Sequence, residues 1–428
     1  MKVLHVVNYG WPHVDGYTVR SRSLVVAQRR ELGYETSVAA SAYPVFARAS
    51  DPALVVDGWG PGQHQVVPRA GRLGRVAERV VPGALQRAQR PALGLAPLQE
   101  RAAARGLLDV VDAVQPDVVH AHHPAYAARA ARAAARARGL PFVYELRCFN
   151  GDYDLDARNP YYLARGRRQN ALEAELARSA DHVVTIADGL ARRLRAAGVP
   201  EERLSVVRNA VDTARFTPQD RSGHDPSVLR VGYATTFEAI ENVDALVGAA
   251  ALARDELARQ GRRLEVTVAG AGRDLERVRA LVADRGLQDL VDLPGFVPIG
   301  AMPQWYADLD LFVVPRKAAA VAADTTPLKP LEALATGLPL LVSDLPAMRE
   351  LLAGRAGVEL VEASPQPLAD AVLRFARAPW TPPQAPDLGD RAWSREVHRY
   401  PEVYRRARET AAARRAGTAP SGAAAGRR

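Results

Sequence analysis

The sequence predicts an α/β fold of two doubly wound, Rossmann-like domains that face each other across an interdomain cleft. Continuous apolar runs of strand length alternate with amphipathic helical stretches, which is the pattern of parallel sheets covered on both faces. This alternation starts a second time near residue 228. The chain, at 428 residues, is also too long for one ordinary domain. We therefore expect two domains, each with its own sheet.

Six apolar runs in the first half have the length of buried strands. Helical patterns lie between them, and the clearest are Ala125–Arg138 and Tyr161–Arg178. The predicted strands are Val3–Val7, Thr36–Ala40, Val118–His120, Phe142–Leu146, His182–Ile186 and Leu204–Val207.

The second half repeats the alternation, with predicted helices at Glu276–Asp284 and Pro327–Thr336. Its predicted strands are Leu229–Tyr233, Leu264–Ala269, Leu309–Val314 and Leu340–Val342.

A polar stretch with Pro and Gly separates the two series and suits a linker. We expect an N-terminal domain over 1–212, a linker over 213–227, a C-terminal domain over 228–382, terminal helices over 383–411 and a disordered tail over 412–428.

Composition predicts a soluble globular protein, since charged residues make up 25% and apolar residues 48% of the chain. The net charge of +9 comes almost entirely from arginine and looks like coding bias, so we expect no nucleic-acid partner. A single cysteine, Cys148, excludes an internal disulfide and a thiolate zinc site. No signal peptide or spanning segment is recognisable, and we expect a cytoplasmic protein.

The loop after the first predicted strand suggests an anion site. Gly16 lies just before a predicted helix, where free backbone N–H groups and the helix dipole favour an anion, and Arg20 adds positive charge. The loop is not a GxGxxG fingerprint, so a dinucleotide cofactor is not expected. A turn glycine with solvated arginines is the alternative interpretation.

Polar side chains end the third and fourth predicted strands. His120 and His122 share one face of a strand end, which suits contact with a substrate hydroxyl or a reacting centre. A metal is not favoured, because the sequence supplies no third ligand beside the His-x-His pair. Glu145 and Arg147 share a face of the next strand end, where they either reach an acceptor or form a structural ion pair.

The second domain has three loops of interest. Gly270 lies between a strand and a helix, where it lets the backbone approach a ligand or simply permits close packing. Arg316 follows a strand directly. Lys329 lies between two prolines at a predicted helix start, where a cation opposes the helix dipole unless an anion such as a diphosphate binds there.

These motifs resemble a known family. The segments VVRNAVDTARF, LPGFVPIGAMPQWYADLDLFVVPR and PLKPLEALATGLPLLVSDLPAMREL are similar to those of retaining glycosyltransferases of the GT-B fold, family 4 (glycosyl transferases group 1), and most similar to a subset with PLKPLEA. The resemblance runs from Met1 to about Arg408. It implies an enzyme whose first domain binds the acceptor and whose second domain binds a nucleotide-diphosphate sugar.

The resemblance also implies roles for individual residues. Glu332 matches the glutamate that holds the ribose of the donor, and Asp324, eight residues earlier, stands where the family's sugar-contacting loop begins with a glutamate. His122 matches the histidine near the reacting centre, and Gly16 matches a phosphate-facing glycine.

One departure from the family pattern affects the diphosphate. The family's Arg and Lys clamp is replaced by a segment that contains Thr235, Thr236, Glu241 and Asn242, with Thr236 in a donor-binding position. Our hypothesis is that Arg316 and Lys329 supply the missing charge. With these cations in place, neither a metal nor another cofactor is expected.

Two alternatives share the same donor site: a sugar-nucleotide 2-epimerase of the same fold and a non-catalytic nucleotide-sugar-binding module. The expected acceptor is a small molecule or a saccharide, and Arg20, Glu145 and Arg147 are the candidate acceptor contacts. Membrane association is an alternative that the sequence does not favour, because no amphipathic anchor stands out.

Overall fold

The computed structural model describes residues 1–8, 15–41, 63–66, 96–155, 159–377 and 388–417. The chain divides into two compact units. The first contains Met1–Arg208 together with the segment that begins at Glu396, and the second contains Asn209–Arg395. Each unit is built on one parallel sheet.

The sheet of the first unit has seven parallel strands in the order β3-β2-β1-β4-β5-β6-β7. The order reverses beside β1, which is the arrangement of a doubly wound sheet. Residues of β1, β4 and β5 are buried on both faces, which explains their continuous apolar sequences. The strands are β1 (Lys2–Val7), β2 (Glu35–Ser41), β3 (Gln63–Val66), β4 (Val118–His122), β5 (Phe142–Leu146), β6 (His182–Thr185) and β7 (Leu204–Val206).

Helices connect these strands, and alanine-rich faces allow close packing on the sheet. In the helix after β4, the buried positions are all alanine. The helices are α1 (Gly16–Leu32), α2 (Ala96–Val114), α3 (Ala125–Ala137), α4 (Asp152–Leu155), α5 (Pro160–Ser179) and α6 (Asp188–Ala196).

The sheet of the second unit has six parallel strands in the order β10-β9-β8-β11-β12-β13. They are β8 (Val228–Thr235), β9 (Arg263–Gly270), β10 (Val291–Gly295), β11 (Leu311–Val314), β12 (Leu340–Ser343) and β13 (Val358–Val361).

Eight helices are described between Val243 and Glu396. They are α7 (Val243–Arg259), α8 (Leu275–Asp284), α9 (Met302–Ala307), α10 (Ala320–Asp324), α11 (Lys329–Ala335), α12 (Pro346–Leu352), α13 (Pro365–Arg377) and α14 (Trp393–Glu396).

The last helix, α15 (Tyr400–Arg415), belongs to the first unit. Tyr400 and Tyr404 on this helix are fully buried and hydrogen-bond to side chains of the first unit. Residues 378–387 and 418–428, which include parts of the predicted terminal helices and tail, lie outside the described residues.

The predicted fold class of two doubly wound α/β domains is confirmed. The structure adds strands that the sequence did not predict, including β10 and β13. Their sequences, VDLPG and VELV, mix exposed or half-buried positions with buried ones, as expected for strands at the edges of a sheet. The helix predicted over Pro327–Thr336 is shorter in the structure, where it begins at Lys329 and ends at Ala335.

Gly270 ends β9 with a φ of 139°, which a residue with a side chain rarely adopts. A Cβ atom there would lie 1.8 Å from the carbonyl oxygen of Thr235 on the neighbouring strand, and a Cβ on Gly272 would lie 1.7 Å from that of Thr236. Close packing of the two strand ends therefore requires these glycines. Of the two roles that the sequence left open for Gly270, ligand approach and close packing, this geometry supports close packing.

Replacing Gly270 by Ala is expected to destabilise the second unit by about 1–3 kcal/mol, because β8 and β9 must separate to accept the methyl group. Chemical unfolding of the purified chain measures this loss. The matched control is Gly300→Ala, whose Cβ would meet no atom within 4 Å, and its effect should stay within about 0.5 kcal/mol. Equal stability of the two variants would contradict the packing role.

Candidate functional site

The carboxyl ends of β4 and β5 bring the predicted histidines and ion pair together in the first unit. His120 lies opposite His5 of β1 in the parallel register, and His122 lies opposite Glu145 of β5. His5, His120 and His122 are buried and their rings lie side by side, with centroids of His120 and His122 4.5 Å apart.

A series of hydrogen bonds links these side chains. Which atom donates in each bond follows from Arg147, because a guanidinium group can only donate. Arg147 Nη2 lies 2.6 Å from His122 Nδ1, so His122 carries its proton on Nε2 and donates it to His5 Nδ1 at 2.9 Å. His5 Nε2 then donates to the Gln28 side-chain oxygen at 2.9 Å.

The series of hydrogen bonds continues through Tyr404 of the C-terminal helix α15. Gln28 donates to the Tyr404 hydroxyl at 2.8 Å, and that hydroxyl donates to His120 Nδ1 at 2.9 Å. His120 Nε2 points towards Glu145 Oε2 at 3.6 Å. Both ring nitrogens of His122 are thus engaged inside the first unit, so the predicted contact of His122 with a sugar requires it to give up one hydrogen bond.

Glu145 is the common acceptor at the centre of this network. Its Oε1 accepts from Arg20 Nε at 3.0 Å and from Arg147 Nε at 2.8 Å, and its Oε2 accepts from the Tyr400 hydroxyl at 2.7 Å. Burial alone would raise the pKa of Glu145, but Arg20 and Arg147 hold it well below the usual value.

The two arginines also fix the backbone around them. Arg20 donates to the carbonyls of Val207 and Arg208, and Arg147 donates to the carbonyl of Tyr17. Arg20, Glu145 and Arg147 are at most 3% exposed. This geometry supports the structural ion pair that the sequence left open, since an acceptor contact needs an exposure that these side chains lack.

His5 supplies a third imidazole beside His120 and His122, which a metal site would need and which the sequence did not reveal. In the described part of the chain, His5, His120 and His122 form the group whose ligand atoms lie within 4.8 Å of one another. Joint ligation of one cation would move the His122 proton to Nδ1, where Arg147 already donates. The neighbouring guanidinium groups of Arg20 and Arg147 further disfavour a cation.

The buried histidines make stability sensitive to acid. Burial lowers the pKa of His5 to about 3 and those of His122 and His182 to about 4, and it lowers that of His120 well below the usual value. These folded-state pKa values lie below the unfolded value of about 6.5, so the stability they contribute is present above pH 6.5 and is lost as the pH falls towards 4.

We expect the free energy of unfolding to fall steeply between pH 6.5 and pH 4, by about 1.4 kcal/mol per pH unit for each such histidine. Denaturant unfolding at several pH values measures the slope. His182→Gln should reduce this slope by about 1.4 kcal/mol per pH unit, because the amide does not take up a proton. His398→Gln, at an exposed histidine, serves as the control and should leave it unchanged. A slope insensitive to His182 would contradict this expectation.

A cavity of about 190 Å³ lies beside the network in the first unit. Among the described residues it is lined by the ends of β1 and β4, the start of α1 and the loop after β5. The lining residues are Val7, Asn8, Asp15, Tyr17, Thr18, Ser21, His122, His123, Pro124 and Asn150.

The predicted anion site at Gly16 carries a carboxylate of the chain itself. Asp15 caps α1 by accepting from the Thr18 backbone N–H at 2.8 Å, and the Thr18 hydroxyl accepts from the Asp15 backbone N–H at 2.9 Å. Gly16 is exposed, and a Cβ there would meet no atom within 4 Å. An anionic ligand at this helix end would have to approach the Asp15 carboxylate.

The second unit collects its predicted donor residues at the carboxyl end of β11. Arg316, 7% exposed, follows this strand and donates to Glu241 Oε1 at 3.0 Å. Burial opposes the charge of Glu241, yet Arg316 lowers its pKa. Glu241, which lies in the segment predicted to replace the family's clamp, is therefore an anion that pairs with Arg316.

Lys329 and Glu332 complete this cluster from α11, and both are half-buried. Burial lowers the pKa of Lys329, while the carboxylates of Glu241 and Glu332 partly restore it. Burial raises the pKa of Glu332, against the effects of Lys329 and of the Tyr306 hydroxyl, which donates to Glu332 Oε2 at 3.1 Å. Two carboxylates therefore interact with three cations in this cluster, which are Arg316, Lys329 and Arg215.

Other departures from the family pattern have structural roles. Asn242 adopts a left-handed conformation with a φ of 55°, and its amide donates to the carbonyls of Pro315 and Ala363 at 2.8 and 2.9 Å. Thr236 is exposed at the end of β8, and Asp324 is half-buried at the end of α10. The segment after Asp324 is held by Asn209, which donates to the Thr326 carbonyl at 2.7 Å.

Each of the two units matches a protein-family model. Residues 14–215 match the model described as Glycosyltransferase Family 4, and residues 226–378 match the model described as Glycosyl transferases group 1. Both halves of the chain are glycosyltransferase-family domains.

Relatives of these glycosyltransferase domains are bacterial. The putative colanic acid biosynthesis glycosyltransferase WcaL of Salmonella typhimurium is 28% identical over 207 residues, which are 47% of this chain and 49% of the relative. The D-inositol 3-phosphate glycosyltransferase of Frankia alni is 29% identical over 281 residues, 61% of this chain and 66% of the relative. The chain thus spans about half the length of the first relative.

Solved structures share the fold of both glycosyltransferase domains. Sucrose-phosphate synthase from Thermosynechococcus elongatus has a TM-score of 0.65 at 16% identity and covers 96% of this chain and 94% of its own. Anabaena HepE, solved in complex with UDP and glucose, has a TM-score of 0.64 at 16% identity, with coverages of 97% and 99%. At this identity the likeness establishes the GT-B fold.

Several residues of the glycosyltransferase domains escaped prediction because their partners are distant in sequence. His5 hydrogen-bonds to His122 and Tyr404 to His120, although His5 and Tyr404 come from opposite ends of the chain. Tyr306 hydrogen-bonds to Glu332 from α9. A buried polar residue in an apolar strand, as His5 is in β1, was the available signal. No helix among the described residues has both the length and the apolar character needed to cross a membrane.

Proposed function

We propose that this protein transfers a sugar from a nucleotide-diphosphate sugar to a hydroxyl group of an acceptor, with retention of anomeric configuration. The observation that carries the proposal is the tandem match of both units to glycosyltransferase families. The named relatives are glycosyltransferases, and a structure of the same fold was solved with UDP and glucose.

The cluster of Arg316, Lys329 and Glu332 is the proposed donor site in the second unit. Glu332 would accept from ribose hydroxyls, and Lys329 and Arg316 would bind the diphosphate. Negative charge grows on the diphosphate as the bond to the sugar breaks through an oxocarbenium-like state, and fixed cations stabilise that charge. In this proposal no metal is required.

Glu241 would compete with the diphosphate for Arg316. Since its carboxylate already accepts from Arg316, the diphosphate either replaces Glu241 as the partner of Arg316 or relies mainly on Lys329. Asp324 begins the segment proposed to contact the sugar, and His122 is proposed to face the reacting centre. By resemblance, the leaving phosphate takes the acceptor proton as the hydroxyl attacks on the same face.

The epimerase alternative has one supporting observation. A putative UDP-N-acetylglucosamine 2-epimerase from Listeria monocytogenes shares the fold, with a TM-score of 0.56 at 15% identity. The family matches and the named sequence relatives favour glycosyl transfer instead.

Product analysis of the full chain with nucleotide sugars distinguishes these functions. Transfer predicts release of nucleoside diphosphate that accelerates when a hydroxyl acceptor is added, and a product with the anomeric configuration of the donor. An epimerised nucleotide sugar would indicate the alternative enzyme, and binding without turnover would indicate a non-catalytic module. Glu332→Ala is the matched variant, because it removes the proposed ribose contact.

A further inference from the structure

Among the described residues of the first unit, His120, His123 and His182 each have a buried ring nitrogen without a hydrogen-bond partner, and of these three His123 lines the 190 Å³ cavity. His123 directly follows β4, and its side chain is 2% exposed. Its Nε2 lies 3.3 Å from Glu173 Oε1 on α5, whereas its Nδ1 has no hydrogen-bond partner.

Glu173 is built into the unit as a fixed partner for this ring. It is fully buried, accepts from the Tyr144 hydroxyl, and accepts from the Ala125 backbone N–H at 3.2 Å. Because the carboxylate accepts the proton on Nε2, Glu173 fixes the ring orientation. The Tyr17 ring packs against His123 at 5.4 Å, and the Tyr17 hydroxyl lies 3.1 Å from Cys148 Sγ.

This environment favours a protonated ring. Burial lowers the pKa of His123, but the neighbouring Cys148 and Glu173 outweigh it and raise the pKa to about 10. Below that pH both ring nitrogens carry protons, so Nδ1 is a donor.

The cavity also contains a buried acceptor. Asn8 Oδ1 is without a hydrogen-bond partner, and Asn8 is 7% exposed. The Ser21 hydroxyl, by contrast, donates to the Tyr17 carbonyl and accepts from Arg147, and the Thr18 hydroxyl serves the capping box. An unpaired buried polar group costs about 1–3 kcal/mol, so a ligand that pairs with both His123 and Asn8 is favoured.

Neutral hydroxyl groups match this pair, because a hydroxyl both donates and accepts. An anionic group fits less well, since Asn8 Oδ1 is an acceptor and Asp15 places a carboxylate in the lining. The cavity also exceeds by more than tenfold the volume of about 10–15 Å³ that one water needs.

We propose that this cavity binds a neutral polyol portion of the acceptor, with His123, oriented by Glu173, donating from Nδ1 to one of its hydroxyl groups and Asn8 accepting from a hydroxyl. This inference rests on the proposed function, because it assigns the acceptor class of that reaction. It makes His123 a specificity-determining residue.

Two substitutions separate the donor at Nδ1 from the contact to Glu173. In His123→Asn the amide nitrogen lies near the place of Nδ1 and the Glu173 contact is lost. In His123→Gln the amide reaches Glu173 and the cavity loses its donor. We expect polyol affinity to fall by roughly tenfold or more in His123→Gln and to be largely retained in His123→Asn. The thermal unfolding midpoint of each variant checks the fold.

Nitrogen NMR of the full chain labelled with [¹⁵N]histidine reads the site directly, with the His123 signals assigned by their loss in His123→Gln. Glucose and myo-inositol are expected to shift the His123 Nδ1 signal, and inorganic phosphate is not. A shift with phosphate alone, or no shift with either polyol, would overturn the proposal. Binding of nucleotide sugars is measured separately on the same sample, so failure of the donor site and failure of this cavity are distinguishable.

Discussion

Replacing Lys329 by Ala is expected to raise the dissociation constant of the nucleotide-sugar donor roughly 10- to 100-fold, equivalent to about 1.5–3 kcal/mol for a charge-assisted contact. The charge of Lys329 interacts with the carboxylates of Glu241 and Glu332 and with the neighbouring Arg316. Its loss removes one of the cations that offset these carboxylates, so the diphosphate meets more negative charge. Titration calorimetry with the donor measures the change.

Lys2→Ala is the matched control for this prediction. Lys2 is one of three lysines in the chain, its side chain is 48% exposed, and it pairs at 3.8 Å with Glu35 in the first unit. Its removal should leave donor affinity unchanged. Equal donor affinity in the Lys329 variant and the parent protein would refute the proposed role of Lys329 in diphosphate binding.

Replacing Glu145 by Gln is expected to destabilise the first unit by about 3–5 kcal/mol, because it leaves Arg20 and Arg147 as buried cations without their carboxylate. The amide keeps one acceptor oxygen, so it cannot accept from both the two arginines and the Tyr400 hydroxyl, and the attachment of α15 is weakened. Urea unfolding, monitored by far-ultraviolet circular dichroism, measures the loss.

The control for Glu145 is Glu35→Gln, which breaks only the exposed pair with Lys2 and should cost no more than about 0.5 kcal/mol. If Glu145→Gln were as stable as this control, the ion-paired network would not hold the unit together. The acceptor-contact interpretation of Glu145 would then regain support.

The fold was predictable because parallel strands buried on both faces produce continuous apolar runs, as in β1 and β5. The positions of His122, Glu145 and Arg316 at strand ends followed from the same pattern. Which strands are neighbours did not follow. The pairing of His5 with His120 depends on β1 lying next to β4, and this strand order is a tertiary property.

The partners of the site residues were less predictable for a similar reason. Glu241 meets Arg316 across 75 residues, and Tyr404 meets His120 across 284 residues. The sequence identified Glu241 as a departure from the family pattern, but only the structure shows that its carboxylate holds Arg316. Likewise, the sequence favoured His122 for substrate contact, whereas the structure leaves His123 Nδ1 unpaired beside the cavity.

The roles proposed for Arg316, Lys329 and Glu332 all require that the second unit binds a nucleotide sugar, and calorimetric titration of the full chain with UDP-, GDP-, ADP- and dTDP-glucose measures this binding. We expect at least one of them to bind at one site per chain and Glu332→Ala to weaken this binding. Failure of all four to bind, or binding unchanged by both Glu332→Ala and Lys329→Ala, would contradict the proposed roles.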